Sequence, residues 1–295
     1  MSAWPEVTTA KAENRHEIKL AGAAISKRIS ESGLDRHIFT LTNINLLNIS
    51  DTLLQAIPDE INRLVNLQTL LLFGNKIQIF NENITSLTKL KVLDLSRNLL
   101  KSLPDSLNNM KELTNVNLSN NEIEEMPKIG DMPNLITFDV SNNKLKSFID
   151  FENASLPHLT DLKMKGNAIE ELPSYVSKSL ANLKNFDMGD NLLKTIPGEV
   201  ASLSKLKELN LKGNKLSDKR FSKLVDQSRT TKQENDLCHA LKILHVEDDS
   251  LRVKIRDSHV ANIRPHILCC VVKDLQFTAE SFKKFIQLQT KLHDT

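Results

Sequence analysis

The chain has 295 residues, which is enough for one elongated repeat domain and a smaller module. Its 39 basic and 37 acidic residues nearly cancel, which excludes a global electrostatic attraction to nucleic acid or to an anionic membrane. The cysteines are Cys238, Cys269 and Cys270, and this odd set near the C-terminal end excludes a disulfide framework.

The first 43 residues are predicted to form an N-terminal helical cap. The stretch from Ala10 to Ser32 is helix-prone, with isoleucines spaced among lysine, arginine and glutamate. Residues 1–14 lack the uninterrupted apolar stretch of a secretory signal, and no later window approaches the ~20 apolar residues of a membrane span. We therefore expect a cytoplasmic protein, with the nucleus as the alternative compartment, and no membrane partner.

Between residues 44 and 226 the pattern LxxLxLxxNxL recurs at intervals of 22 to 24 residues. The copies begin at Ile44, Leu67, Leu90, Leu113, Leu135, Leu159, Leu183 and Leu206. In each copy the LxL core predicts a short strand with apolar residues inward and polar residues outward. One copy cannot bury its own leucine face, so neighbouring copies must share the core. The sequence predicts an α/β solenoid with a curved parallel sheet of about eight repeats and helical ends.

An asparagine follows the strand at the same offset in seven of these copies. These residues are Asn75, Asn98, Asn121, Asn143, Asn167, Asn191 and Asn214. A buried amide is costly unless its donors and acceptor are satisfied. At a turn it can bond the backbone of its own coil and of the next one. We predict an interior asparagine ladder, in which Thr52 of the first copy supplies only part of the bonding.

The return path of most copies carries an apolar residue followed by proline, as in Ile57-Pro58 and Leu103-Pro104. Proline has no N–H to donate to a sheet ladder. The side opposite the sheet is therefore predicted to hold short helical or extended pieces.

Residues 227–240 are predicted to be a linker and residues 241–295 a separate segment. The run DQSRTTKQEND, which starts at Asp226, is polar and has no periodicity. Beyond it, alternation around Val253 and the apolar run Ile267 to Val272 predict strands, and a helix follows. These are pieces of a small α/β or α+β module.

The repeats resemble the intracellular, asparagine-ladder class of leucine-rich repeats. The runs WPEV, ENRHEIKLAG, LKGNKLSDKRFSKLV and RVKIRDSHVANIRPHILCCVVKDLQFTAESFKKFIQLQTKLHDT resemble the leucine-rich repeat-containing protein 47 family. That resemblance implies a repeat array joined to a module similar to the B3/B4 domain of the phenylalanyl-tRNA synthetase beta subunit. The sequence departs from that family in two ways: its linker is short where the family has a long charged insert, and it ends inside the B3/B4-like region, so we expect a truncated form.

No strong metal, nucleotide or hydrolase signature occurs in the sequence: HExxH, paired CxxC, GxxxxGK[ST] and GxSxG are all missing. The C-terminal histidines His245, His259 and His266 lie near aspartates, but their spacing matches no ligand set, and we interpret them as surface residues. We predict no enzyme activity, no catalytic residue, no cofactor, no metal and no small-molecule substrate.

The predicted concave face carries the candidate partner-binding residues. They are Leu46, Leu71, Phe73, Val92, Asp94, Asn115, Asn117, Asp139, Asp161, Lys163, Asp187 and Glu208. A solvated sheet has no folding reason to show Leu71 and Phe73, so these are candidate hot spots unless the N-terminal helix covers them. The acidic residues either select a basic partner or only keep the face soluble. We predict a scaffold or adaptor that binds a protein partner here, with no prediction of its oligomeric state.

The alternative function is an RNA- or tRNA-binding, translation-linked factor. Arg252, Lys254 and Arg256 are the candidate contacts to a phosphate backbone, and further basic residues lie between Lys212 and Lys223. No aromatic platform is interleaved with them, which favours a solvated helix face. Editing hydrolysis of mischarged tRNA, which the resemblance also suggests, is disfavoured.

Overall fold

The computed structural model describes residues 2–217. In this range the chain forms one sheet of nine parallel strands that lie side by side in chain order. The strands are β1 Glu17–Ala21, β2 Leu46–Ser50, β3 Thr69–Leu71, β4 Val92–Asp94, β5 Asn115–Asn117, β6 Thr137–Asp139, β7 Asp161–Lys163, β8 Asn185–Asp187 and β9 Glu208–Asn210. The predicted solenoid is confirmed.

Several predicted features lie outside the described residues. They are the end of the repeat domain at residue 226, the linker 227–240, the segment 241–295 and the candidate RNA contacts Arg252, Lys254 and Arg256.

The first row of the core is formed by one inward residue from each strand. These residues are Ile18, Leu47, Leu70, Leu93, Val116, Phe138, Leu162, Phe186 and Leu209, and none is more than 4% exposed. A strand of three residues such as β4 has a single inward side chain at its centre. That side chain is covered only when strands lie on both sides of it, so the burial of each coil depends on its neighbours.

Short helical turns occupy the return segments from β1 to β5 and from β7 to β9, and those from β5 to β7 contain none. The helices are α1 Pro5–Ala12, α2 Ala23–Ser32 and α3 Val176–Ser179, and 3₁₀ turns span Arg36–Thr40, Asp59–Arg63, Glu82–Ser86, Asp105–Asn109 and Gly198–Ser202. Pro58, Pro104 and Pro197 immediately precede three of these turns. Because proline fixes φ and lacks an N–H, it suits the start of a helical turn and not a second sheet.

The ladder asparagines bond two coils at once. Asn98 donates through Nδ2 to the carbonyl oxygens of Leu72, at 2.9 Å, and Leu95, at 3.0 Å, and its Oδ1 accepts from the N–H of Ile77 at 3.0 Å. The other ladder asparagines repeat this pattern. Asn167 and Asn214 are only half-buried, and Thr52 donates through Oγ1 to Asn75. Each asparagine thereby fixes the turn of its own coil and the spacing to the coil before it.

The residue before each ladder position has a positive φ, which reverses the chain at the end of the strand. In five coils this residue is Asp51, Arg97, Asn120, Asn142 or Asp190, and in the other three it is Gly74, Gly166 or Gly213. At Gly74 a Cβ atom would lie 2.3 Å from Oδ1 of Asp51 in the preceding coil. The glycine is therefore required by its left-handed conformation and by the close approach of its neighbour.

The structure differs from the helical expectation for Ala10 to Ser32. Residues 17–21 form β1, which pairs with β2 in parallel. The sequence EIKLA alternates, so Ile18 and Leu20 point into the core while Lys19 stays exposed. The helix preference of its residues is weak beside the hydrogen bonds and burial gained on the open edge of β2. Asn14 and Gly22, both at positive φ, end the helical conformation on either side.

Candidate functional site

The outward strand residues form two rows because every strand pair is in register. The row at the start of the strands includes Leu46, Val92, Asn115, Asp161 and Glu208. The row at their end includes Leu71, Asp94, Asn117, Asp139, Lys163 and Asp187. Phe73 lies two positions after Leu71 and faces the same way by alternation. The predicted concave residues thus lie on one face.

Most residues of the second row also hold the turn that follows their strand. The carboxylate Oδ1 atoms of Asp94, Asp139 and Asp187 accept from the N–H two residues later, at 2.9, 2.9 and 3.0 Å. Asn117 and Asn210 do the same at 3.1 Å. Aspartate and asparagine are favoured in such turns because their short side chains reach this N–H. Folding alone therefore explains these residue types. Leu71, Lys163 and Asn48, which aligns with Leu71, do not follow this pattern.

The acidic part of the face is only partly neutralised by its neighbours. Asn117 Nδ2 donates to Asp94 Oδ2 at 3.3 Å, and Lys163 Nζ lies 4.0 Å from Asp139 Oδ2. Asp161 accepts from the Thr160 hydroxyl. Among the predicted face residues, Lys163 is the one cation and the acids are Asp94, Asp139, Asp161, Asp187 and Glu208. These face residues therefore carry a net negative formal charge from β4 to β9.

The apolar end of the face is half-buried and borders a cleft. Leu46, Leu71, Phe73 and Val92 are all partly exposed. Residues of helix α1 line the same cleft as Leu46 and Leu71. This cleft, of about 610 Å³, is lined by Pro5, Glu6 and Thr9 of α1 and by residues of β1, β2 and β3. Apolar surface is therefore accessible at the N-terminal end of the sheet.

The α1 wall of this cleft is held by charged contacts. Arg28 donates to both carboxylate oxygens of Glu6, at 2.9 and 2.6 Å, and these bonds lower the pKa of Glu6. The Trp4 N–H donates to Asp35 Oδ2 at 2.6 Å. Burial acts to raise the pKa of Asp35, but the N–H groups of Trp4 and His37 outweigh it and lower that pKa. Both carboxylates are thus stabilised in the charged form that fixes α1.

Phe73 is less available than its sequence position suggests. The Arg97 guanidinium lies over its ring, 5.3 Å from the centroid. Such a contact stabilises the ring electrostatically and shields its apolar face. Within the apolar end of the face, Leu46 and Leu71 are therefore the side chains that adjoin open space in the cleft.

Four residues of the face were missed from the sequence. Glu17 and Lys19 belong to β1, whose only sequence signal was the alternation in EIKLA. Asn48 aligns with Leu71 in the register, but its repeat is degenerate. Thr69 of β3 aligns with Leu46 in the register.

Among residues 2–217, no group of three or more histidine, cysteine, aspartate or glutamate residues is placed to hold a metal ion. Over the same range, no helix combines the length and apolar character needed to cross a bilayer.

Two family models described as leucine rich repeat match the chain, one at residues 157–216 and the other at residues 89–110. The chain carries leucine-rich repeats. Repeat proteins of this kind generally mediate protein–protein interaction and are typically not enzymes. A comparison with curated protein sequences finds no match for this leucine-rich-repeat protein.

Solved structures with the same fold include a plant receptor and a bacterial internalin. The plant peptide hormone receptor RGFR1, solved in complex with RGF2, is 30% identical with a TM-score of 0.52, over 61% of this chain and 30% of the receptor. The internalin InlF of Listeria monocytogenes is 21% identical with a TM-score of 0.50, over 72% of this chain and 65% of the internalin, and shows the fold alone. The leucine-rich-repeat protein spans less than a third of the receptor's length. In total 440 chains of known structure match, so this fold does not specify one function.

Proposed function

We propose that this leucine-rich-repeat protein is a non-catalytic scaffold that binds a protein partner on the concave face of its sheet. One observation carries the proposal: the apolar surface of Leu46 and Leu71 is continuous with the acidic rows that begin at Asp94. An apolar patch bordered by charge is the usual anatomy of a binding surface. The similar peptide hormone receptor was solved in complex with RGF2, which supports a protein or peptide partner.

The two parts of the face have different physical roles in this proposal. The leucines supply the apolar area whose burial favours the complex. The carboxylates of β4 to β9 attract a basic partner and raise its association rate. We also propose that this interaction takes place in the cytoplasm.

The test uses partners captured from cell extract by chemical crosslinking and then purified. Each partner is measured against the full chain and two double variants, Leu71→Asp/Phe73→Asp and Asp94→Lys/Asp139→Lys. We expect the apolar variant to dissociate faster and the acidic variant to associate more slowly. The proposal is wrong if both variants bind every purified partner as the unaltered chain does.

Glu125→Lys/Glu171→Lys is the matched control for the acidic variant. It changes the net charge by the same amount, and both glutamates are exposed on return segments outside the strands. A general charge effect would slow association in the control as well. A contact on the concave face leaves the control unchanged.

The relation to the leucine-rich repeat-containing protein 47 family is a second part of the proposal, supported by the sequence runs given above. It carries the alternative function, in which Arg252, Lys254 and Arg256 bind RNA or tRNA. A titration with labelled tRNA at several salt concentrations separates the two functions. It compares the full chain with its Arg252→Glu/Lys254→Glu/Arg256→Glu variant. Salt-dependent binding that the variant loses favours the RNA-binding factor. Equal binding by both chains favours the scaffold.

A further inference from the structure

The cleft beside α1 has a side chain that folding leaves unused. Asn48 of β2 is only 9% exposed, yet its amide makes no side-chain hydrogen bond within residues 2–217. Its Oδ1 is buried and has no partner there. Burying an amide without partners disfavours the folded state. Such a residue is therefore a candidate for a role other than folding.

The length of β2 explains why Asn48 differs from the other asparagines and the aspartates of its row. Asn117 and Asn210 lie at the end of three-residue strands and accept from the N–H two residues later. β2 continues to Ser50, which pairs with Ala21 of β1. The turn that occupies the other side chains therefore begins too late to use Asn48.

Apolar side chains flank this amide on the cleft wall. Leu46 is two residues earlier on the same side of β2, and Leu71 is the register partner of Asn48 in β3. Pro5 and Thr9 of α1 line the same cleft. The Glu6–Arg28 ion pair holds α1 in place, so the walls exist before any ligand arrives. The cleft thus has an apolar surface, formed by Leu46 and Leu71, next to the unpaired side-chain amide of Asn48.

A free primary amide matches one chemical group well, the peptide group. Its Nδ2 donates to a carbonyl oxygen and its Oδ1 accepts from an N–H. The terminal torsion of asparagine is soft, so rotation about it lets the amide present a polar atom to an occupant of the cleft. The apolar surface of Leu46 and Leu71 beside this amide fits one aliphatic residue of an extended chain.

The charges next to the cleft define the rest of the ligand. Asp94 is one strand beyond Leu71, and Asp139 is three strands beyond it. At ~4.8 Å per strand these distances are roughly 5 and 14 Å. Alternate residues of an extended chain lie about 6.6 Å apart on one side. Basic residues two and four positions from the aliphatic residue would therefore lie over Asp94 and Asp139.

We infer that the cleft binds an extended segment of the protein partner with the pattern aliphatic-x-basic-x-basic. The aliphatic side chain packs on Leu46 and Leu71, and its peptide group pairs with the Asn48 amide. The basic side chains contact the carboxylates of Asp94 and Asp139. This inference rests on the proposed function, because it specifies which part of a partner the face selects.

The test selects ligands from a phage-displayed library of random 12-residue peptides, with the full chain as bait. We expect enriched peptides to share the aliphatic-x-basic-x-basic pattern. Enriched peptides without that pattern, or no enrichment, overturn the inference.

Variants then test the amide. An enriched peptide should bind Asn48→Leu at least tenfold more weakly than the unaltered chain, and N-methylation of its aliphatic residue should cause a similar loss. Asn48→Leu should also raise Tm, because it removes a buried polar group that folding leaves unpaired. A purely structural asparagine would lower Tm when replaced. Unchanged peptide affinity for Asn48→Leu overturns the inference.

The purified partner separates this inference from the proposed function. If Asp94→Lys/Asp139→Lys loses binding of the purified partner and Asn48→Leu retains it, the scaffold function is supported. The same result contradicts the inference that the partner binds in the cleft. Binding that is retained in both of these variants and in Leu71→Asp/Phe73→Asp contradicts the scaffold as well.

Discussion

Arg97 reaches across a whole coil to Asp51, with its Nη2 3.0 Å from Asp51 Oδ1 although the two residues are 46 positions apart. Gly74 occupies the coil between them at the equivalent turn position. Arg97 also covers the Phe73 ring of that intermediate coil. The absence of a side chain at Gly74 therefore lets two non-adjacent coils bond directly.

Gly74→Ala is expected to destabilise the fold by roughly 1–3 kcal/mol. A Cβ would be strained at φ 68° and would displace the Asp51 carboxylate. Urea unfolding followed by circular dichroism measures the effect. Gly130→Ala is the control, because the nearest atom to its Cβ would be 3.7 Å away and its φ is not positive. Equal losses in the two variants would contradict the explanation for Gly74.

Asn98→Ala is expected to cost at least about 2 kcal/mol of unfolding free energy. It leaves the buried N–H of Ile77 unpaired and removes donors from the carbonyls of Leu72 and Leu95. Asn62→Ala is the matched control, since Asn62 is exposed and makes a long 3.4 Å bond to Asn83. We expect the control to change the free energy by less than ~0.5 kcal/mol. A similar small change for Asn98→Ala would show that the ladder does not hold the coils.

Leu20→Ala is expected to destabilise the protein by about 2–5 kcal/mol. Leu20 is fully buried on β1, the strand that closes the first edge of the sheet. Its exposed neighbour on the same strand, tested as Lys19→Ala, should have little effect. Thermal unfolding of both variants is the measurement. If Leu20→Ala unfolds like the unaltered chain, β1 contributes no stability to the array.

The docking of α1 is expected to weaken in acid. The folded-state pKa values of Glu6 and Asp35 lie below their ordinary values of 4.5 and 3.8. Their stabilising contribution is therefore complete above the ordinary values and is lost as the pH falls through the lowered folded values. Trp4 is the single tryptophan and lies on Arg28, so its fluorescence reports the release of α1.

The expected result is a red shift of Trp4 emission at pH values below about 4, with no change between pH 5 and 7. Glu6→Gln should remove the part of the pH dependence that comes from Glu6, and Glu13→Gln, on the exposed end of α1, should not. A transition centred above pH 4.5 in the unaltered chain would show that neither carboxylate has the lowered pKa.

Local spacing made most of the sheet predictable. The pattern around Leu93 and Asn98 recurs at a fixed interval, and each copy specifies its own strand and turn. β1 has no such copy, and its pairing depends on the edge of β2, which only the folded chain presents. The sequence of residues 17–21 alone carries no information about that edge, and its residue types favour a helix instead.

The outward face was predictable in position but not in role. Alternation alone placed Leu71 and Asp94 on the same surface. It did not show that Asp94 holds the N–H of Ser96, or that Arg97 shields Phe73. It also did not single out Asn48, because the lack of a hydrogen bond is a property of the packed coils. These features depend on contacts between repeats, and the sequence pattern of one repeat does not predict such contacts.

Because the strands lie side by side in chain order, each repeat adds one fixed step to the length of the sheet. Removing residues 99–121 would join Asn98 to Glu122 and keep every later coil in phase. The distance from the α1 cleft to Asp139 would then shorten by one step of ~4.8 Å. A gain or loss of whole repeats during evolution would thus change the length of partner segment that fits between the α1 cleft and Asp139, and both contacts would be preserved.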